Sequence, residues 1–223
     1  MMANTNPPNV AQDLLRIHRA ITRGLTVGAE KGAEFARGGF PDPGLSQGFA
    51  AYLQGLSAVL KAHHLGEDEV AFPFFRERLP SSLYERLSDD HHKIEALLKT
   101  LNQAIANVGS SGSQADLNRL VDCLHSITVV WTPHIALEEG HFSPEALAAV
   151  MTLEEQGRMS GAMAKHSQEH ATPSYLALPF TLFNLQPEDR AAMAAAMPSM
   201  VVDELVPKVW KDQWAPMRPF LLE

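Results

Sequence analysis

The chain has 223 residues, a formal net charge of −8 and one cysteine, Cys123. That length suits one large domain, or a domain with an appended segment, and is ample for a sizeable core. The acidic balance, without any run of Lys or Arg, argues against a nucleic-acid partner and an anionic membrane surface, and a lone cysteine excludes an internal disulfide. The opening stretch through Pro7-Pro8 has neither the basic nor the apolar region of a signal peptide. No apolar run approaches the roughly 20 residues that span a bilayer, so a cytoplasmic protein is expected.

Apolar residues then recur at helical spacing in four successive stretches. The first, from about Val10 to Arg37, carries Leu14, His18, Ile21, Leu25, Gly28, Gly32 and Phe35 on one face. Its Gly24, Gly28 and Gly32 cost helix propensity, which close approach of a neighbouring helix would offset. Gly38 to Gly44 is a loop. The second stretch, about Leu45 to Arg78, carries Phe49, Leu53, Leu56, Leu60, His63 and Glu67, and Pro73 should kink or end it. The third, to about Val108, carries Leu87, His91, Ile94, Leu98, Leu101 and Ile105. After a loop at Gly109 to Ser113, the fourth carries Leu117, Leu120, Leu124, Ile127, Trp131, His134 and Glu138, with Pro133 expected to kink it. Nothing alternates with period two. An all-α, up-down-up-down four-helix bundle over residues 9–144 is therefore expected.

Beyond Pro144, Thr152-Leu153-Glu154-Glu155 has the form of a capping box opening another helix, to about His170. Seven prolines from Pro173 to Pro219 then divide the chain into short pieces that remain apolar enough to pack. Residues 145–223 are read as a C-terminal helical extension packed on the bundle, capping its end or lying along adjoining helices.

Polar residues interrupt the four stripes at matching places. His18 and His91 replace apolar residues near the starts of the first and third helices, whereas His63-x-x-x-Glu67 and His134-x-x-x-Glu138 lie near the ends of the second and fourth. In an up-down bundle those positions meet at one level. They also repeat: His18 precedes His91 by 73 residues, and His63 and Glu67 precede His134 and Glu138 by 71. A buried imidazole or carboxylate is costly unless paired or metal-bound. The stripe selects His63 over His64 and His91 over His92, and leaves Asp68 and Glu139 flanking.

Four imidazoles and two carboxylates are too many for one tetrahedral zinc and too nitrogen-rich for magnesium or calcium. Two iron ions bridged by carboxylates, and by an oxo or hydroxo group, fit best, with manganese or zinc as alternatives. About twelve coordination positions would then leave room for dioxygen, peroxide or nitric oxide.

The set His18, His63-x-x-x-Glu67 with Ala71-Phe72-Pro73, His91, and His134-x-x-x-Glu138 with Phe142 and Pro144 resembles the hemerythrin-like, His-His-Glu cation-binding family over about Leu14 to Pro144. Ferritin-like di-iron proteins use Glu-x-x-His, the reverse order. The resemblance implies a non-heme di-iron site that binds dioxygen or other small oxidants. Oxygen-carrying hemerythrins have a second histidine four residues after the one on the third helix, where this chain has Glu95. Such a carboxylate would favour the ferric state and shift the expectation from oxygen carriage toward redox sensing or stress response. The pattern is also similar to the bundle of di-iron proteins that repair iron–sulfur clusters, which makes an enzyme the alternative; a structural bundle with incidental metal is the third.

Glu95 and His141 are additional ligand candidates. Tyr52 and Cys123 are read as core residues, and His166 with His170 as a solvent-facing pair lacking a third partner. A monomer or homodimer is expected, with a small diatomic or peroxide molecule as ligand.

Overall fold

In the computed structural model, which describes residues 9–110 and 112–222, every regular element among the described residues is helical. The opening stretch through Pro8, and Ser111 of the loop expected before the fourth helix, lie outside them. Helix α1 (Val10–Gly38) starts where the Asn9 side chain accepts a hydrogen bond from the Gln12 amide. Helix α2 (Pro43–Gly66) is capped by Asp42 and begins on a proline, whose missing amide hydrogen costs nothing in a first turn. It continues through a π-helical turn (Glu67–Ala71) into α3 (Phe72–Phe75). Pro73 therefore neither ends the helix nor interrupts it sharply. The widened turn just before it, closed by the Phe72 amide bonding the Glu67 carbonyl, relieves the clash a proline ring makes with a regular α-turn.

Helix α4 (Ser81–Ser110) runs two residues further than the sequence pattern indicated. Helix α5 (Gln114–His141) passes through Pro133 unbroken. Proline leaves the carbonyl four residues earlier without its helical partner. That residue, Val129, is 74% exposed, so the break falls on the wet side of the helix. Helix α5 is long and apolar enough to cross a membrane by length and composition. One face of it, with Leu117, Leu120, Leu124, Ile127 and Trp131, is buried against α1 and α4.

Helices α1, α2, α4 and α5 close a ring in which α1 touches α2 and α5, and α4 touches the same two. Both neighbours of α5 run antiparallel to it. Thr22 meets Trp131 while Gly32 faces Val121, and His91 meets His134 while Cys123 Sγ faces the Leu97 carbonyl. The three glycines of α1 lie at these seams: a Cβ on Gly24, Gly28 or Gly32 would come within 2.9 Å of Phe180, Leu53 or Val121 side-chain atoms. Close approach is the use to which their poor helix propensity is put.

The remaining elements are α6 (Pro144–Val150), α7 (Leu153–His170), α8 (Ser174–Phe183), α9 (Pro187–Ala195), a second π-helical stretch (Met200–Val209), α10 (Lys211–Trp214) and a 3-10 turn (Ala215–Phe220). Both bonds of the Thr152–Glu155 capping box are present. This region packs in two ways. Leu147, Met151 and Met159 of its first part join Phe72, Phe75, Leu87 and Phe142 in an apolar cluster over one end of the ring. Its later part lies along α2 and α1, where Phe180, Met217 and Phe220 enter the main core. A polar pin holds it there: Tyr52 Oη donates to Asn184 Oδ1 at 2.8 Å, and Arg23 donates to the same oxygen and to the Phe220 carbonyl.

Helix α2 accepts the extension through a second glycine face. A Cβ on Gly55 would lie 2.8 Å from Phe180 Cβ, and one on Gly48 would lie 2.0 Å from the Pro216 carbonyl oxygen. Because the latter contact is backbone, relaxation requires the 3-10 turn to move. Gly48→Ala should cost about 1–3 kcal/mol in denaturant unfolding. Gly161→Ala on α7, where nothing lies within 4 Å, should instead be neutral or stabilise by about 0.5–1 kcal/mol. Equal effects from the two would contradict this packing.

Candidate metal centre

Between the main core and the apolar cluster at the ring's end lies one polar layer. It contains His18 from α1, His63 and His64 from α2, Glu67 at the first residue of the π-turn, His91 from α4, and His134 and Glu138 from α5. None is more than 6% exposed. The indole of Trp131 closes the core side, within 6 Å of the rings of His18, His63, His64 and His134, and is oriented by its Nε1 bond to Thr22. Phe72 closes the other side, stacked on His91 at 5.5 Å.

The sequence stripe omitted His64, and the structure places it here, stacked on His91 with ring centroids 4.1 Å apart. It lies a third of a helical turn from His63, but α2 is covered on that side as well. Glu95 is not brought in: it is exposed and ion-paired with Lys99 at 3.1 Å, because Ile94 takes the inward position on α4. His141 is also exposed, its Nδ1 bonded to the Leu137 carbonyl at 2.8 Å. Cys123 is buried in the core.

The flanking carboxylates have a defined place. Glu139 Oε1 lies 2.9 Å from His18 Nδ1, and Asp68 Oδ1 lies 3.0 Å from His91 Nδ1. Each leaves its imidazole's Nε2 turned inward, at 3.2 Å from Glu138 for His18 and 3.4 Å from Glu67 for His91. A carboxylate behind an imidazole fixes its tautomer and raises its basicity toward a cation.

Several inward atoms of these groups make no hydrogen bond. His18 Nε2, His63 Nε2, His64 Nε2, Glu67 Oε2 and both Glu138 carboxylate oxygens are buried without a hydrogen bond among the described residues. Such a collection is unstable unless something else satisfies it. Two overlapping groups would do so by holding a cation each: His64, Glu67, His91 and His134, and His18, His63, Glu67 and Glu138, with the donor atoms of each group within 4.8 Å of one another. Glu67 belongs to both.

The family model of the hemerythrin HHE cation-binding domain matches residues 9–146. The chain belongs to this family. The polar layer described above lies within the matched residues, in a helical scaffold of the kind the family implies. Neither the curated proteins nor the solved structures yield a match.

Charge in this HHE-family layer is strongly mutual. Burial would lower the pKa of His18, but Glu138 and Glu139 outweigh it and lift it to about 9. Burial likewise opposes protonation of His91, which Asp68 and Glu67 raise to about 10. Burial and neighbouring imidazoles hold His63 and His64 well below the ordinary histidine range, and burial brings His134 to about 4 despite Glu138. Burial and repulsion from Glu138 push Glu67 up to about 8.

Without a cation, protons on His18, His91 and Glu67 therefore persist through neutrality, and a cation must displace them. Metal uptake should release protons into weakly buffered solution, and affinity should rise with pH through neutrality and level off only at about pH 10, where His91 loses its proton. Uptake independent of pH would show that these groups do not hold the ion. Asp68→Asn and Glu139→Gln should each weaken cation binding by about 10–100-fold, measured by competition with a chelator. His92→Ala, on an exposed position, should leave it unchanged.

Proposed function

We propose that this protein is an up-down-up-down four-helix bundle carrying a non-heme di-iron centre. The centre would bind or react with dioxygen, peroxide or nitric oxide, in redox sensing or stress response. The observation that carries this reading is the pair of four-residue ligand groups sharing Glu67, built from imidazoles and carboxylates with no thiolate. Nitrogen and oxygen donors in that ratio suit iron or manganese better than calcium, magnesium or a structural zinc. His18, His63, Glu67 and Glu138 would hold one ion, and His64, His91 and His134 with Glu67 the other. Iron held there would supply electrons and open positions for a small ligand.

The chain's own residues prepare the site for that use. Glu139 and Asp68 orient His18 and His91. Trp131, Phe72 and the apolar cover exclude water, which would otherwise compete for the open positions. Exposure of 6% or less at every ligand position favours a diatomic or peroxide ligand over an organic substrate. Placement of Glu95 in solvent supports a ligand set different from that of the oxygen carriers, with His64 of α2 completing the group around His91.

Anaerobic loading with ferrous iron should reach two irons per chain. His64→Ala should lower this toward one, and Glu67→Ala should impair both. Saturation at a single tightly held zinc, with no iron uptake, would overturn the di-iron reading. Exposure of the loaded protein to dioxygen, peroxide and nitric oxide, followed by absorption spectroscopy, separates the roles. A stable reversible adduct indicates a sensor, and repeated turnover indicates an enzyme.

A further inference from the structure

Among the described residues, one other group of side chains outside the central layer has the chemistry of a metal site. Glu69 stands on the π-helical turn two residues beyond Glu67, and its Oε2 lies 3.0 Å from His166 Nε2 on α7. His170 follows one helical turn later, its ring stacked on that of His166 at 4.2 Å. Donor atoms from all three lie within 4.8 Å of one another. The two histidines, read from sequence as a solvent-facing pair, thus have a third partner. His166 is only 9% exposed, and its Nδ1 is buried without a hydrogen bond among the described residues. No Lys or Arg among the described residues pairs with Glu69.

We propose that Glu69, His166 and His170 form a second cation site, separate from the central layer, which takes zinc or a similar borderline divalent ion. Two imidazoles and one carboxylate are the three-ligand set of a tetrahedral zinc with its fourth position open to solvent. An i,i+4 histidine pair projects both rings from one helix face, and the carboxylate comes from a different element. An ion held by the three therefore ties α7 to the π-turn. Helix α7 supplies Met159 to the apolar cover, and its Met163 packs against Gly66, next to Glu67. Zinc at this site fastens the cover over the central layer from outside, whatever ion the central layer holds.

The test uses the full chain with its centre first saturated anaerobically with ferrous iron, then dialysed against zinc, with both metals counted. Wild type should take up one further zinc per chain and keep its iron. Glu69→Gln and His170→Ala should each weaken that uptake at least about tenfold. His170→Ala changes an exposed residue away from the π-turn, so it keeps the comparison readable if Glu69→Gln disturbs that turn. Zinc should also slow hydrogen exchange of α7 amides in wild type and not in His170→Ala. Zinc uptake only in exchange for iron, or uptake and exchange in His170→Ala equal to wild type, would overturn the proposal.

Discussion

Glu67 and Glu138 lie 3% and 0% exposed at the level where four helices meet, and no Lys or Arg among the described residues pairs with either. Burying an unpaired carboxylate costs several kcal/mol, and here two share one layer. Among the described residues, the positive charge within reach comes from imidazoles, most of which burial itself drives toward neutrality. Other features follow from this constraint. The layer needs apolar walls to keep water from dissolving it, which Trp131 and the cluster around Phe72 provide. It also needs its donors held in place, which explains carboxylates set behind His18 and His91.

Much of this was legible because each stripe is a record of one buried helix face. The positions of His18, His91 and the two His-x-x-x-Glu pairs interrupt otherwise apolar faces at one level, and the internal repeat makes that coincidence visible. His64 was not legible for a physical reason. A stripe describes a helix with one dry side, whereas α2 touches α1 and α4 on one side and α7, α8 and the final 3-10 turn on the other. A residue a third of a turn off the stripe is therefore still inside. Helix α4 shows the opposite case. The extension leaves its outer side wet, and Glu95, one residue past Ile94, is exposed. The stripe thus misses a residue on α2 and holds on α4 for one cause, the asymmetric wrapping of the ring, and Glu95, suggested by the family resemblance, falls outside it.

That wrapping left a trace in the sequence that periodicity does not weigh. Gly48, Gly55 and Gly66 lie on the side of α2 where Pro216, Phe180 and Met163 approach. Glycines spaced by about two or three turns along a helix mark a surface on which another backbone or a bulky ring can settle. Read with the apolar, proline-divided composition after Pro144, they would have indicated which helix receives the extension. The polar pin of Arg23, Tyr52 and Asn184 carried no such signal, since each residue has many ordinary reasons to occur where it does.

The two supporting carboxylates cross between the repeats. Glu139, on the second hairpin of helices, stands behind His18 of the first, and Asp68, on the first, stands behind His91 of the second. Neither hairpin can orient its own single histidine. The candidate centre is thus a property of the seam between two half-proteins, and its affinity for a cation would measure how tightly those halves are joined. Any force that parts α1 from α5, or α4 from the end of α2, removes a histidine's support and loosens the ion in the same movement. For a metal held there, retention and closure of the fold at this end would be one equilibrium.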